Sequence, residues 1–410
     1  MANTIREVIK EPHPDVELGL ERGELEYFVT LPENGVNKET GVILSIPGFA
    51  DTANSDYQIN KLMPYLADKY DCVVVGVNYF GINRSGYIKK FDFLKSFCKN
   101  YNVHEGQFFD SEGLPRFKSF DEAAYQMCTI LRERRVNKLD KDCRPIITQV
   151  KDYESFGFLP AVDNLTVLAT VLSNYNVDHR KLVAYGSSYG GFIAWLMGKY
   201  APHTFSVIVD NSGYSQAIIS EVAAHELLPV EGNPIMSIEI GNVNYNLNGV
   251  RMQPWTVMSE EYPGYFSDSC RRIRSLLENA HRVPSKTRYY VFHSPEDLIA
   301  PIAEKDGAIG ILSQYNQVYY KRMEPRDIDG QVFKNMKHAM DASLRGLFDI
   351  VAALDDTKFA KQEDYTDFSL NSVNAFDCGK KTYSFKFKAD YNFEVTITDT
   401  ANQSRINRVI

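Results

Sequence analysis

Apolar positions along this chain switch repeatedly between two periods, one that suits strands and one that suits helices. Short apolar runs stand at Glu24–Leu31, closed by Pro32, at Val42–Ile46 and at Cys72–Val77, and each predicts a strand. Val162, Leu165, Leu168, Ala169 and Leu172 recur at helical spacing. A further apolar run at Lys181–Tyr185 follows, then a second helical pattern through Phe192, Ile193, Leu196 and Met197. Strands are expected at Val207–Asp210, Thr287–Phe292 and Gln317–Met323, and Leu344, Leu347, Phe348 and Val351 mark one face of a late helix. This alternation predicts an α/β fold, a mostly parallel central sheet with helices on both faces.

Two stretches interrupt the alternation. Residues 81–160 exceed any ordinary connection and hold helical patterns at Tyr87–Cys98 and Glu122–Arg135, so a cap or a widening of one sheet face is expected. Residues 214–266 form a second insertion, expected as a lid and rich in aromatic and amide side chains. Tyr214, Arg251 and Trp255 are its candidate substrate-binding residues, since aromatic planes suit sugar faces and a guanidinium suits a carboxylate. The plainer reading is that they pack the lid onto the core. From about residue 357 the chain changes character. Thr382–Lys388 and Phe393–Thr398 alternate with period two around Ala389–Asn392, which predicts a hairpin.

The chemistry gathers at Gly186-Ser187-Ser188-Tyr189-Gly190-Gly191, a G-x-S-x-G text between an apolar strand and an apolar-periodic helix. A sharp strand-to-helix turn there lifts the Ser188 hydroxyl above the carboxyl edge of the sheet, and glycines are needed where strand and helix pass close. A serine hydroxyl becomes a useful nucleophile only when an imidazole takes its proton and a carboxylate fixes that imidazole. Asp297 lies in the loop after the Thr287–Phe292 strand. His338, the only histidine C-terminal to Asp297, follows the last strand. Asp210 is the second candidate for the acid, and Glu296 adjoins Asp297. An oxyanion needs two backbone donors. Tyr189, directly after the serine, should supply one, and Phe49 in the loop Pro47–Asp51 the other, with Ala50 as the alternative.

Serine, acid and histidine in this chain order resemble the α/β-hydrolase superfamily, and the Ser-Tyr-Gly-Gly elbow is closest to its prolyl-oligopeptidase and esterase branch. The resemblance implies Ser188, Asp297 and His338 as a catalytic triad. Many relatives have His-Gly where this chain has Pro47-Gly48, so any hydrogen bond from that histidine is absent here. Pro47–Thr52 together with Val77–Gly81 also resembles an uncharacterised bacterial hydrolase-like family found near surface-glycan and flagellin-modification genes. The expected organisation is one α/β-hydrolase domain over residues 1–356, with insertions at about 81–160 and 214–266, and a C-terminal β-hairpin appendage at 357–410. The large N-terminal propeller of prolyl oligopeptidases has no counterpart in the text, which turns the expectation away from peptide cleavage.

Composition narrows the partners. The 410 residues are 44% apolar, enough for a large core, and carry a net charge of −8 with no basic run interleaved with aromatics. Nucleic acid and membrane are therefore not expected as partners. The N-terminus lacks the apolar core of a secretory signal, and the six cysteines are scattered without a C-x-x-C pair. A cytoplasmic protein with reduced thiols, no metal and no cofactor is expected. The leading expectation is a serine hydrolase of the esterase kind, acting on a small ester or acylated sugar. Acyl transfer to a sugar, a peptidase of prolyl-oligopeptidase type and a non-catalytic binding protein are the alternatives. The appendage leaves a homo-oligomer open.

Overall fold

The computed structural model describes the chain apart from residues 1, 50, 83–85, 89–91, 118, 138, 140–142, 144–145, 150–151, 224–235, 248–249 and 401–410. It divides into two compact units. One comprises Met1–Asn83, Ser155–Ala217 and Phe266–Ile410; the other comprises Arg84–Glu154 and Ile218–Tyr265.

The first unit is built on an eight-stranded sheet. Its strands are β1 (Asn3–Ile9), β2 (Leu25–Leu31), β3 (Gly41–Ile46), β4 (Cys72–Val77), β5 (Leu182–Ser187), β6 (Val207–Asn211), β7 (Arg288–His293) and β8 (Gln317–Arg322). They lie in the order β1-β2-β4-β3-β5-β6-β7-β8. From β4 to β8 every neighbouring pair is parallel, while β1 and β2 run antiparallel at one margin. Every residue of β3, β4, β6 and β7 is buried, as expected for strands covered on both faces. The helices α1 (Met63–Tyr70), α2 (Phe158–Asn174), α3 (Tyr189–Tyr200), α4 (Ile302–Leu312) and α5 (Leu344–Leu354) supply the cover. On one side, Leu347, Phe348 and Val351 of α5 join Ile43, Val74, Val183 and Tyr185 of the sheet in a single apolar core. This is the α/β-hydrolase fold. Because β5, β6, β7 and β8 are parallel, the loops after them emerge at one edge, where ligands bind in open α/β sheets.

Strand β1 has no signal in the apolar pattern. Its residues Asn-Thr-Ile-Arg-Glu-Val-Ile are half-buried or exposed throughout, and it exists because its backbone pairs with β2 from Asn3↔Leu31 to Ile9↔Leu25. The tail forms three antiparallel strands, Val373–Asp377, Lys381–Phe387 and Phe393–Asp399, so the expected hairpin gains a partner on its first strand.

The second unit has its own core, in which Phe93, Phe97, Phe108, Met127 and Leu131 pack with Tyr245 and Leu247. Its two longer helices among the described residues span Asp92–Asn100 and Phe120–Glu133. The helix expected from Tyr87 onward is corrected here. Gly86–Ile88 is a strand, paired antiparallel with Ile146–Gln149, and a ladder to a segment so far along the chain outweighs local periodicity. Met236–Ile240 and Val243–Leu247 make a separate antiparallel pair. No helix among the described residues is long and apolar enough to cross a membrane.

Candidate active site

Ser188 sits at the junction of β5 and α3 with φ 56° and ψ −123°, a conformation that costs an L-residue about 1–3 kcal/mol. The surroundings enforce it. A Cβ on Gly190 would lie 2.1 Å from the Ile46 carbonyl oxygen, and one on Gly186 would lie 2.2 Å from the Gly190 backbone. No side chain fits either place, so strand and helix are clamped together and the serine is held on the turn between them. The Ser188 N–H donates to the Asn211 carbonyl at 2.7 Å, which ties the turn to the end of β6.

The Ser188 hydroxyl lies 2.6 Å from Nε2 of His338, and Nδ1 of His338 lies 2.7 Å from Oδ2 of Asp297. With its Nδ1–H donated to the carboxylate, the imidazole turns the Nε2 lone pair toward the hydroxyl. The other oxygen of Asp297 accepts the Ile299 and Ala300 N–H groups, each at 2.9 Å. Burial acts to raise the Asp297 pKa, but the His338 hydrogen bond and the two backbone donors outweigh it and hold the carboxyl below its usual range. Asp297 is therefore an anion aimed at the ring.

The loop carrying His338 also uses left-handed backbone. Ala339, Met340 and Asp341 all have positive φ, at 57°, 57° and 45°. Met340 is fully buried in the core beneath, Asn211 Nδ2 donates to the Ala339 carbonyl at 3.1 Å, and the Ser294 hydroxyl donates to the Met336 carbonyl. Packing below and hydrogen bonds on both sides fix where the imidazole stands.

The two competing acids have other places. Glu296 is exposed. Asp210 is fully buried, with Oδ2 at 2.6 Å from Lys305 Nζ and Oδ1 accepting the Gly213 N–H at 2.7 Å. A second histidine stands near Asp297. His293 ends β7 with Nε2 3.7 Å from Oδ2 of Asp297, but that nitrogen donates to the Ala300 carbonyl at 2.8 Å. Burial and the neighbouring Lys305 lower the His293 pKa and keep it neutral.

Phe49 and Tyr189, the two expected oxyanion donors, are neighbours through their side chains. Their rings stack with centroids 3.9 Å apart, which joins the loop after β3 to the first residue of α3. The Tyr189 N–H lies at the start of that helix, ahead of the i−4 ladder. Tyr79 OH donates to the Pro47 carbonyl at 2.7 Å and braces the loop from the other side. Ala50 lies outside the described residues. Among the three expected substrate-binding residues, Tyr214 stands beside the site, its ring centroid 6.0 Å from that of His338 and 6.2 Å from that of Phe49. Trp255 belongs to the second unit, where it is buried with the Tyr153 ring edge-on at 5.7 Å. Arg251 also belongs to that unit, in the short strand Val250–Met252.

A cavity of about 380 Å³ opens beside Ser188 and His338, lined also by Gly48, Phe49, Asp51, Tyr57, Gln58 and Asp341. Asp51, Gln58 and Asp341 carry no signal in the sequence that would mark them. Gln58 opens a π-helical turn, Gln58–Leu62, ahead of α1, and its side chain links Ser45 to Asp51. No group of His, Cys, Asp and Glu able to hold a metal occurs among the described residues.

The sequence pattern of the family described as "Protein of unknown function (DUF2920)" matches residues 7–397. No curated protein matches the chain. Several solved structures are similar. Acylaminoacyl peptidase from Pyrococcus horikoshii shares 14% identity at a TM-score of 0.44, over 92% of this chain and 43% of that one. The chain thus spans about two fifths of the peptidase's length. An arylesterase shares 12% identity at a TM-score of 0.43, covering 86% of this chain and 82% of that one. S-formylglutathione hydrolase from Agrobacterium tumefaciens shares 12% identity at a TM-score of 0.42, covering 88% and 99%.

Proposed function

The chain belongs to the family described as protein of unknown function (DUF2920), and we propose that it is a serine hydrolase that cleaves a small ester through an acyl-enzyme. One observation carries the reading. The strained elbow serine, the imidazole and the buried carboxylate form a continuous hydrogen-bonded line, at 2.6 and 2.7 Å.

In this reading Ser188 Oγ attacks the ester carbonyl carbon while His338 Nε2 takes its proton. Asp297 keeps the ring in the tautomer that can accept that proton and stabilises the imidazolium that results. The oxygen that becomes negative is met by the backbone N–H groups of Tyr189 and Phe49. Collapse of the tetrahedral intermediate breaks the bond to the alcohol, which leaves with the proton from His338. Water then attacks the acyl-Ser188 carbonyl, His338 again serving as base, and the acid departs as the serine is restored. The cavity, at about 380 Å³, is near the small end of ligand sites, which favours a short acyl group or a single sugar ring over a polypeptide.

Purified protein assayed against p-nitrophenyl esters of graded chain length and against acylated sugars tests the proposal. Turnover of short esters that disappears in Ser188→Ala is expected. Transfer to a sugar hydroxyl uses the same first half-reaction, and diversion of the acyl group from water by added sugar would move the assignment to a transferase. Turnover that survives both Ser188→Ala and His338→Ala would end the proposal.

A further inference from the structure

The cavity beside Ser188 has an uneven distribution of charge. Its lining includes two carboxylates, Asp51 and Asp341, with the rings of Phe49, Tyr57 and Tyr185, and among the described residues no lysine or arginine. Asp341 faces a counter-charge outside the lining, Lys334 at 3.3 Å, in an exposed pair. Asp51 is held differently. Its carboxylate accepts the Thr52 N–H at 2.9 Å and the Gln58 side-chain N–H at 2.9 Å, both neutral donors. Gln58 is only 2% exposed, and its own carbonyl accepts from the Ser45 hydroxyl at 3.1 Å. Ser45 belongs to β3, so a buried amide braces Asp51 against the central sheet. Neutral donors orient an anion without cancelling its charge.

We propose that Asp51 makes this cavity select esters bearing a positively charged group, an ammonium near the scissile carbonyl, and reject those bearing a carboxylate or phosphate there. The inference rests on the hydrolase reading above. A spherical cavity of the observed volume is roughly 9 Å across, so a charge on the bound substrate lies well within Coulombic reach of Asp51. The rings of Tyr57 and of Phe49, which has one face stacked on Tyr189, line the same cavity and suit a cation better than an anion. The site is partly open to solvent, so the expected discrimination between cationic and anionic substrates is modest, on the order of tenfold in kcat/KM, and screened by salt.

Three p-nitrophenyl esters of equal length, ending in trimethylammonium, tert-butyl or carboxylate, test the inference. The first two have nearly the same shape, so their difference reads charge alone. Wild-type enzyme is expected to prefer them in that order, about tenfold from first to last, with the spread shrinking as ionic strength rises. In Asp51→Asn the ratio of cationic to anionic ester should collapse toward one. The wild-type salt dependence reads the same effect without any variant, should the substitution disturb the loop. Equal kcat/KM for the three esters, or a preference for the anion, would overturn charge selection while leaving a Ser188-dependent hydrolase standing. Failure of all three esters, together with failure to label Ser188, would overturn both.

Discussion

Replacing Asp210 and Asp297 one at a time by asparagine should separate two carboxylates that the fold uses in opposite ways. Asp210 and Lys305 are both fully enclosed, 2.6 Å apart, with Lys305 Nζ 4.5 Å above the Trp195 ring. Asp210→Asn leaves a buried ammonium without its counter-charge, which costs about 3–5 kcal/mol. For a cooperative unit of this size the loss corresponds to a fall in Tm of roughly 5–10 °C. Catalysis per folded molecule, measured well below Tm, should change by less than about tenfold, because Asp210 does not hold the imidazole. Asp297→Asn should do the reverse. The asparagine oxygen can still accept the Ile299 and Ala300 N–H groups, which lie 2.9 Å from the Asp297 carboxylate, so stability should move by no more than about 1–2 kcal/mol. The His338 ring loses its anionic partner, and kcat should fall about 10³–10⁴-fold. Thermal unfolding followed by circular dichroism, paired with ester turnover normalised to folded protein, reads both effects. An Asp210→Asn enzyme that is folded yet as inactive as Asp297→Asn would refute the assignment of the acid.

Two further outcomes follow from packing and from buried histidines. Gly190→Ala puts a Cβ where it would stand 2.1 Å from the Ile46 backbone oxygen, which cannot rotate away. That variant should be recovered misfolded or inactive, as judged by soluble yield and near-ultraviolet circular dichroism. His13, His281 and His293 are held neutral mainly by burial, and His281 is lowered to about 4. The unfolded chain takes up protons near the ordinary histidine value of 6.5 that the folded chain cannot bind. Stability should therefore fall as pH drops below about 6.5, and the His281 share of the loss should be complete below about 4. His13 Nε2 accepts the Val395 N–H at 2.8 Å, and His281 Nε2 donates to the Asp377 carbonyl at 2.8 Å. Hydrogen exchange in the C-terminal strands should accordingly accelerate with acid, and a flat pH profile there would contradict the linkage.

Much of the site was legible because its signals are local. The glycines around Ser188 stand within a few residues of it, and each answers a contact that a Cβ would make. Asp297 and His338 were readable from chain order after strands with clear apolar runs. What escaped depends on partners distant in sequence or on backbone shapes without a marker residue. Lys305 and Asp210 are 95 residues apart, so nothing near Asp210 announces that its charge is already taken. The left-handed run at Ala339, Met340 and Asp341 contains no glycine, and tertiary packing around Met340 imposes it. The short strand Gly86–Ile88 and the margin strand β1 are made by pairing rather than by their own pattern. Asp51 and Gln58 look like ordinary polar residues until the turn at Gln58 folds one against the other.

The most direct measurement is to treat the protein with a fluorophosphonate probe and locate the adduct by peptide mass. A single adduct on Ser188, slowed strongly in His338→Ala and absent in Ser188→Ala, is the predicted result. An adduct on another residue, or labelling that is indifferent to both substitutions, would contradict the account.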